Sequence, residues 1–460
     1  MLFNSFLFLF VFLPIVLLGF YGLGPKVNLS VIIRWLFLCS LFFYGWWKPL
    51  YLILIGLSIV FNFFISKEVA KGKKPFLVVG ITFNLLILFF YKYADFLIYN
   101  VNVISDTSVS YLNWALPLGI SFYTFQQIAY LVDSCKGIVA RTNFFSYGLF
   151  VSFFPQLIAG PIVHHKEVMP QIRNPLLTQI NYQNLSRGFF ILMMGLAKKI
   201  VLADTFGIIA NNGYANIELL GSQEAWITSL AYSLQLYFDF SGYSSMAIGL
   251  GLLLNIQLPQ NFNSPYRSAT IQEFWRNWHI SLSRFLRDYI YIPLGGNKVS
   301  SGRTDMNLMV TFLLGGIWHG AGWTFIIWGF LHGVALVIHR YWKNSGFEIP
   351  KIPSILITFL FVNITWVFFR AENLEDATGL LDAMFYFSKT ATSDFYLVSN
   401  LYNSPIWAAG VLLLFLPNDM QLGNQIKPTF KYGLMTVLLF VLNLIFLNSI
   451  VQNDFLYFDF

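Results

Sequence analysis

Charge is what this sequence has least of: Asp, Glu, Lys and Arg make up 11% of its 460 residues. Soluble domains carry about 25% charged residues. The deficit is filled by 57% hydrophobic residues, among them 50 Phe and 13 Trp, which excludes a water-soluble fold. Cysteine is almost missing. Cys39 lies in an apolar segment and Cys135 beside a basic loop, so neither a disulfide framework nor a thiolate metal site is expected. The six histidines include no pair with the spacing to a carboxylate or cysteine that zinc requires, and no metal is expected. No Lys or Arg precedes Lys26, so the basic region of a secretory signal is lacking and the apolar segment 2–20 reads as a retained first helix. The net charge of +7 implies no nucleic acid, because the basic residues sit in short loops between apolar runs, where they set orientation in a bilayer.

What the chain does have is a series of apolar runs, each near the ~20 residues that cross a bilayer as a helix. They fall at about 3–20, 31–47, 50–65, 76–93, 114–132, 186–210, 224–254, 323–341, 354–370 and 432–450, with shorter runs at 144–162, 306–320 and 405–417. No soluble domain interrupts them. The reading is one all-α polytopic membrane domain over 1–460, with N-terminal helices at 1–113, a core at 114–342, and C-terminal helices with an external tail at 343–460. The basic loop from Ser66 to Pro75 (SKEVAKGKKP) is cytoplasmic by the positive-inside rule. Counting from it, 94–112 and 211–223 fall outside, the loop with Lys136 and Arg141 falls inside, and both termini lie outside.

Two regions break the up-and-down pattern. In Phe144 to Arg173, Pro155, Gly160 and Pro161 interrupt any helix, which reads as a re-entrant element lining an interior cavity or as a loop at the cytoplasmic surface. From Tyr266 to Arg303 the chain is basic. On a helical wheel Phe274, Trp275, Trp278, Leu282, Phe285, Leu286 and Tyr289 share one arc, opposite Glu273, Arg276, Asn277, Arg284, Arg287 and Asp288. That predicts one amphipathic helix with a basic cytoplasmic face. His279 sits at the edge of the apolar arc.

Of the six histidines, His339 beside Arg340 and Lys343 reads as an interfacial cation, and His332 as a satisfied histidine inside the bundle. His164 and His165 read as polar lining of the re-entrant element. His319 stands apart, set among glycines in Phe312–Trp323 (FLLGGIWHGAGW). An ionisable residue at membrane depth is a functional hypothesis by default. The stretch from Met306 to Ile317 would rise only about 18 Å as a helix, short of the ~30 Å hydrocarbon core, which places His319 inside the membrane thickness. Two readings stand there: a general base acting on a hydroxyl, and a histidine hydrogen-bonded to a neighbouring helix.

Five motifs between about 110 and 340 together resemble the membrane-bound O-acyltransferase family. They are Pro117–Gln126 (PLGISFYTFQ), Phe154–Ile162 (FPQLIAGPI), Tyr237–Ser244 (YFDFSGYS), Phe274–Ser283 (FWRNWHISLS) and Gly316–Gly320 (GIWHG). The nearer likeness is to its bacterial branch, which O-acetylates alginate and peptidoglycan or moves D-alanine to teichoic acid. The resemblance implies a ring of about 11–13 transmembrane helices with re-entrant segments around a central tunnel in the bacterial cytoplasmic (inner) membrane. It places the catalytic histidine on His319 and the second motif histidine on His279. The donor it implies is cytoplasmic acetyl-CoA, a substrate and not a resident cofactor, whose phosphates would suit Arg276, Arg284 and Arg287 with Trp275 and Asn277. The same basic face also suits anionic lipid headgroups.

The C-terminal Phe455–Phe460 (FLYFDF) resembles the terminal aromatic motif of alginate and peptidoglycan acetyltransferase subunits. That likeness implies that Tyr457 carries the acetyl group briefly; an interfacial aromatic belt is the plainer reading. The expected function is O-acetylation of an extracytoplasmic polysaccharide, reached through a periplasmic or extracytoplasmic partner acetyltransferase, since the external loops are too short to hold a glycan. D-alanyl transfer to teichoic acid and a non-catalytic transporter or flippase are the alternatives. The paired discontinuous helices of a transporter's related halves are not found.

Overall fold

The computed structural model describes residues 1–139, 142–387, 390, 405–449 and 455–456. Among these the chain is helical, and six helices are long and apolar enough to cross a membrane: Phe8–Lys26, Tyr51–Val69, Lys74–Ser105, Trp323–Ser345, Lys351–Arg370 and Phe430–Leu447. Leu29–Gly45 and Ile406–Phe415 are shorter apolar helices. Other runs expected to cross lie inside the protein. The 32-residue Ser222–Leu253 helix is buried along nearly its whole length, and Ile120–Cys135 is buried over almost all of its residues. The first carries Ser and Asp, and the second Gln, Ser and Asp, that bond within the bundle, which is why they read as less apolar than a lipid-facing span.

Polar side chains join these helices where water is scarce. Asn62 and Asn84, on Tyr51–Val69 and Lys74–Leu88, exchange amide hydrogen bonds of 3.2 and 2.6 Å. Each amide also donates to a carbonyl one turn earlier, Ser58 and Gly80. Buried amides with all donors placed are the polar contacts that hold helices together in an apolar medium.

The stretch 144–173 is interrupted as expected, and it lies inside the protein instead of forming a loop at its surface. Phe144–Ser152, Phe154–Leu157 and His165–Ile172 are short helices joined by irregular chain, and 146–165 is buried throughout. Side chains collect the backbone groups that the breaks release. Gln126 and Gln156 both donate to the Phe150 carbonyl at 2.7 and 2.8 Å, and Ser281 accepts from the Ile162 N–H at 2.9 Å.

The single amphipathic helix expected over 274–289 is not present. Ile271–Asn277 and Ile280–Leu286 are separate helices, broken by extended Trp278 and by His279 in the left-handed region (φ 41°, ψ 54°). Side-chain bonding to Asn261 outweighs helix continuation there, and the Ile280 N–H donates to the Asn261 carbonyl at 2.9 Å. A non-glycine residue held in this conformation is uncommon, and such strained residues cluster at active sites.

The helix ending at His319 is longer than expected. It runs Ser301–His319, about 28 Å by helical rise. The chain turns through Gly320, Ala321 and Gly322 and returns as Trp323–Ser345, so the two form a hairpin with His319 at its tip. Gly316 meets Gly329 across the hairpin: a Cβ on Gly316 would stand 2.4 Å from the Phe325 carbonyl oxygen. The glycines therefore admit a helix. At the open end Arg340 pairs with Asp305, which also accepts from Tyr341 at 2.7 Å.

The loops expected at 94–112 and 211–223 are partly helical, the second through Asp204–Ala215 and Ile217–Leu219. Ala94–Ser105 prolongs the preceding span, and Asp95 accepts from the N–H groups of Leu112 and Asn113. Within 371–404, Leu374–Phe385 is a helix capped by Asn373, with Ala377, Leu380, Ala383 and Met384 buried.

Candidate active site

His279 and His319, distant in sequence, share one aromatic enclosure. Neither is accessible: His279 is 0% and His319 2% exposed. Trp318 is their common wall, with ring centroids 6.2 Å from His279 and 4.9 Å from His319. Phe240 meets His279 edge-on at 4.7 Å. On the other side Trp328 and Phe369 meet His319 at 5.0 and 5.1 Å. Trp318 is in turn stacked on Phe125 of the PLGISFYTFQ motif at 5.2 Å and meets Phe122 at 5.6 Å.

The protonation pattern of His279 follows from Asn261. The Asn261 side-chain oxygen accepts from the Ser281 N–H at 3.1 Å and from the Ser281 hydroxyl at 2.8 Å, while its amide nitrogen faces Ser244 at 3.2 Å. That oxygen also lies 3.1 Å from Nδ1 of His279. An amide oxygen only accepts, so Nδ1 carries the proton. A neutral His279 then presents a lone pair at Nε2. An imidazole oriented by a third group, beside a second imidazole and walled from water by aromatic rings, is an arrangement for taking a proton from a hydroxyl.

The other four histidines have separate places. Both ring nitrogens of His332 are engaged: the Trp275 indole donates to Nδ1 at 3.2 Å, and Nε2 lies 3.0 Å from the Thr365 hydroxyl, which itself donates to the Val362 carbonyl. This is the satisfied bundle histidine that the sequence predicts. His164 Nδ1 lies 3.2 Å from the Tyr289 hydroxyl, which donates to Asp133 at 2.9 Å. His165 Nε2 lies 3.2 Å from the Thr142 hydroxyl. His339 is partly exposed near the end of its helix.

The five residues assigned to the donor do not make one surface. Trp275 faces inward to His332, and Asn277 joins Ser268 and Asn263 by its side chain. Arg284 is paired with Glu167 through both terminal nitrogens, at 2.5 and 2.9 Å. Arg276 is exposed, and Arg287 is exposed beside Asp288. Only these two present charge to solvent.

Tyr457 lies outside the described residues; its neighbours Phe455 and Leu456 do not. The Leu456 N–H donates to Asp239 at 2.9 Å, and Phe455 is stacked on Tyr243 at 4.5 Å and meets Phe240 at 6.0 Å. Phe240 is the ring that touches His279. Asp239 is also paired with Lys199 at 2.8 Å, and Lys199 with Asp204 at 2.7 Å. The sequence reading missed Asn261, the Lys199 cluster and Lys92. Each of the charged ones carried a signal: an ionisable residue inside an apolar run. Asn261 carried none, being one amide in a polar loop.

A cavity of about 590 Å³ opens elsewhere, lined by Leu13, Phe189, Met193, Tyr432 and other apolar residues, and contains neither histidine of the enclosure.

This chain belongs to the membrane-bound O-acyltransferase family, whose sequence profile matches residues 108–369. It is an integral-membrane acyltransferase. It is 43% identical over 514 aligned positions to the peptidoglycan O-acetyltransferase of Helicobacter pylori, covering 100% of this chain and 98% of that one. It is 41% identical over 406 positions to the probable alginate O-acetylase AlgI of Pseudomonas aeruginosa, covering 86% and 76%. The teichoic acid D-alanyltransferase of Streptococcus thermophilus is 30% identical over 251 positions, covering 51% of this chain and 59% of that one.

Proposed function

We propose that the protein carries acetyl groups from cytoplasmic acetyl-CoA across the bacterial inner membrane for O-acetylation of an extracytoplasmic polysaccharide, peptidoglycan or alginate-like, through a partner acetyltransferase. In this reading both termini are external and a central tunnel joins the two faces. The observation that carries it is the shared enclosure of His279 and His319, into which donor and acceptor would have to come. Full-length likeness to an O-acetyltransferase supports acetyl over D-alanyl as the group moved.

His319 is the base. It takes the proton of the acceptor hydroxyl, the Tyr457 phenol, as the oxygen attacks the thioester carbonyl carbon. The tetrahedral intermediate collapses with cleavage of the C–S bond, and the departing thiolate takes the proton back from the imidazolium. His279 orients the acceptor hydroxyl. The docking of Phe455 against Phe240 supports a tail that reaches the enclosure. Arg276 and Arg287 are the cations left for the CoA phosphates.

Purified protein incubated with radiolabelled acetyl-CoA tests this. Label should appear on the protein, be absent from Tyr457→Phe, and never form in His319→Ala. Labelling from a D-alanyl carrier protein, with none from acetyl-CoA, would sink the acetyl reading.

A further inference from the structure

Lys92 is the one cation between Lys74 and Ser105, in a helix otherwise apolar enough to span a bilayer. Such a charge is expensive to bury and needs specific partners. Its ammonium donates to the Trp318 carbonyl at 2.5 Å and to the His319 carbonyl at 3.0 Å. The next residue, Tyr93, donates through its hydroxyl to the Ile317 carbonyl at 2.9 Å. Three consecutive carbonyls at the end of the Ser301–His319 helix are thus closed by two adjacent side chains of another helix. The last carbonyls of any helix lack intrahelical partners and carry the negative end of its dipole. Among the described residues no carboxylate is paired with Lys92. The helix end itself is the counter-charge.

Lys92 and Tyr93 lie in a π-helical segment, Phe89–Tyr93, a local widening common at functional sites. The ammonium also stands 5.7 Å over the Trp318 ring and 3.5 Å from the Ser121 hydroxyl. It therefore joins the helix of the first motif to the wall shared by the two histidines.

We propose that Lys92 and Tyr93 are positioning residues for His319, fixing the backbone at the tip of the hairpin so that the imidazole meets the acceptor hydroxyl at reactive distance. This assignment rests on His319 acting as the base. A loosened helix end would move the ring by a fraction of an ångström to an ångström, which is enough to slow a reaction strongly without altering donor binding.

The test compares Lys92→Met, Lys92→Arg and Tyr93→Phe in the full-length protein. Acetyl-CoA consumption and amide hydrogen exchange over residues 316–322 are both measured. Lys92→Met should lower kcat about tenfold to a hundredfold with donor KM within about twofold, and Lys92→Arg should recover most of the loss. Unchanged kcat in Lys92→Met overturns the proposal, as does equal loss in the Met and Arg variants. Should Lys92→Met not accumulate as folded protein, Tyr93→Phe decides: a severalfold fall in kcat at constant KM supports the positioning role, and an unchanged kcat overturns it. Should the wild type consume no acetyl-CoA, the acetyl reading fails separately. Exchange then decides, faster over 316–322 in Lys92→Met supporting the cap and an unchanged pattern overturning it.

Discussion

Oδ1 of Asn261 stands 3.1 Å from Nδ1 of His279, and the Ser281 N–H that it also accepts fixes it as an oxygen. The histidine is thereby held in one tautomer, at a residue whose backbone has a positive φ. Asn261→Leu removes the acceptor and should lower kcat by about a hundredfold, the scale of a reacting group misplaced by an ångström. Asn261→Asp keeps an acceptor at Nδ1 and should retain more activity. Steady-state kinetics of the two variants checks the order.

The tail is docked by a backbone bond from Leu456 to Asp239 and by the ring of Phe455 on Tyr243. Phe455→Ala should lower kcat for acetylation of the external acceptor by about tenfold while donor KM stays constant, measured with acetyl-CoA and the partner present. Lys199→Met leaves two buried carboxylates without their cation. It should cost about 3–5 kcal/mol, the scale of a broken buried pair, seen as a lowered thermal unfolding midpoint.

His332 and His319 should separate by assay. His332→Phe strips the partner from the Trp275 indole, at about 1–3 kcal/mol for a buried group left unbonded, while the Thr365 hydroxyl keeps its bond to the Val362 carbonyl. Its thermal midpoint should fall while the folded fraction keeps its donor KM. His319→Ala opens a cavity among Trp318, Trp328 and Phe369, so its midpoint should fall too, but unlike His332→Phe it should lose turnover in the fraction that stays folded.

Neutralising the arginines should likewise sort them. Arg276→Gln and Arg287→Gln are expected to raise donor KM by a few-fold more than they lower kcat. Arg284→Gln leaves Glu167 without its guanidinium and should act on stability first, read from thermal unfolding beside the kinetics.

The broad architecture was legible because a bilayer sets a simple rule of length and hydropathy. Six of the expected spans followed from it, and the interruption at Pro155 and Gly160 followed from residues that break helices. The break at His279 was not legible, because every residue from Phe274 to Leu286 suits a helix and the force that breaks it comes from Asn261, distant in the chain. The hairpin at His319 was half legible: glycines announced a close approach but not its partner, Gly329. Lys92 was passed over because hydropathy averages a single cation away. Its meaning lies in two carbonyls more than two hundred residues further on.

By itself the sequence determined a membrane-embedded helical acyltransferase and named the two histidines, since composition and short motifs are local properties. Only the tertiary structure decided that these histidines share one enclosure, that Asn261 orients one, and that Lys92 and Tyr93 close the helix end carrying the other. Hydrogen bonds and helix-end charges act over about 3 Å of space, and sequence separation carries no information about which groups come that close.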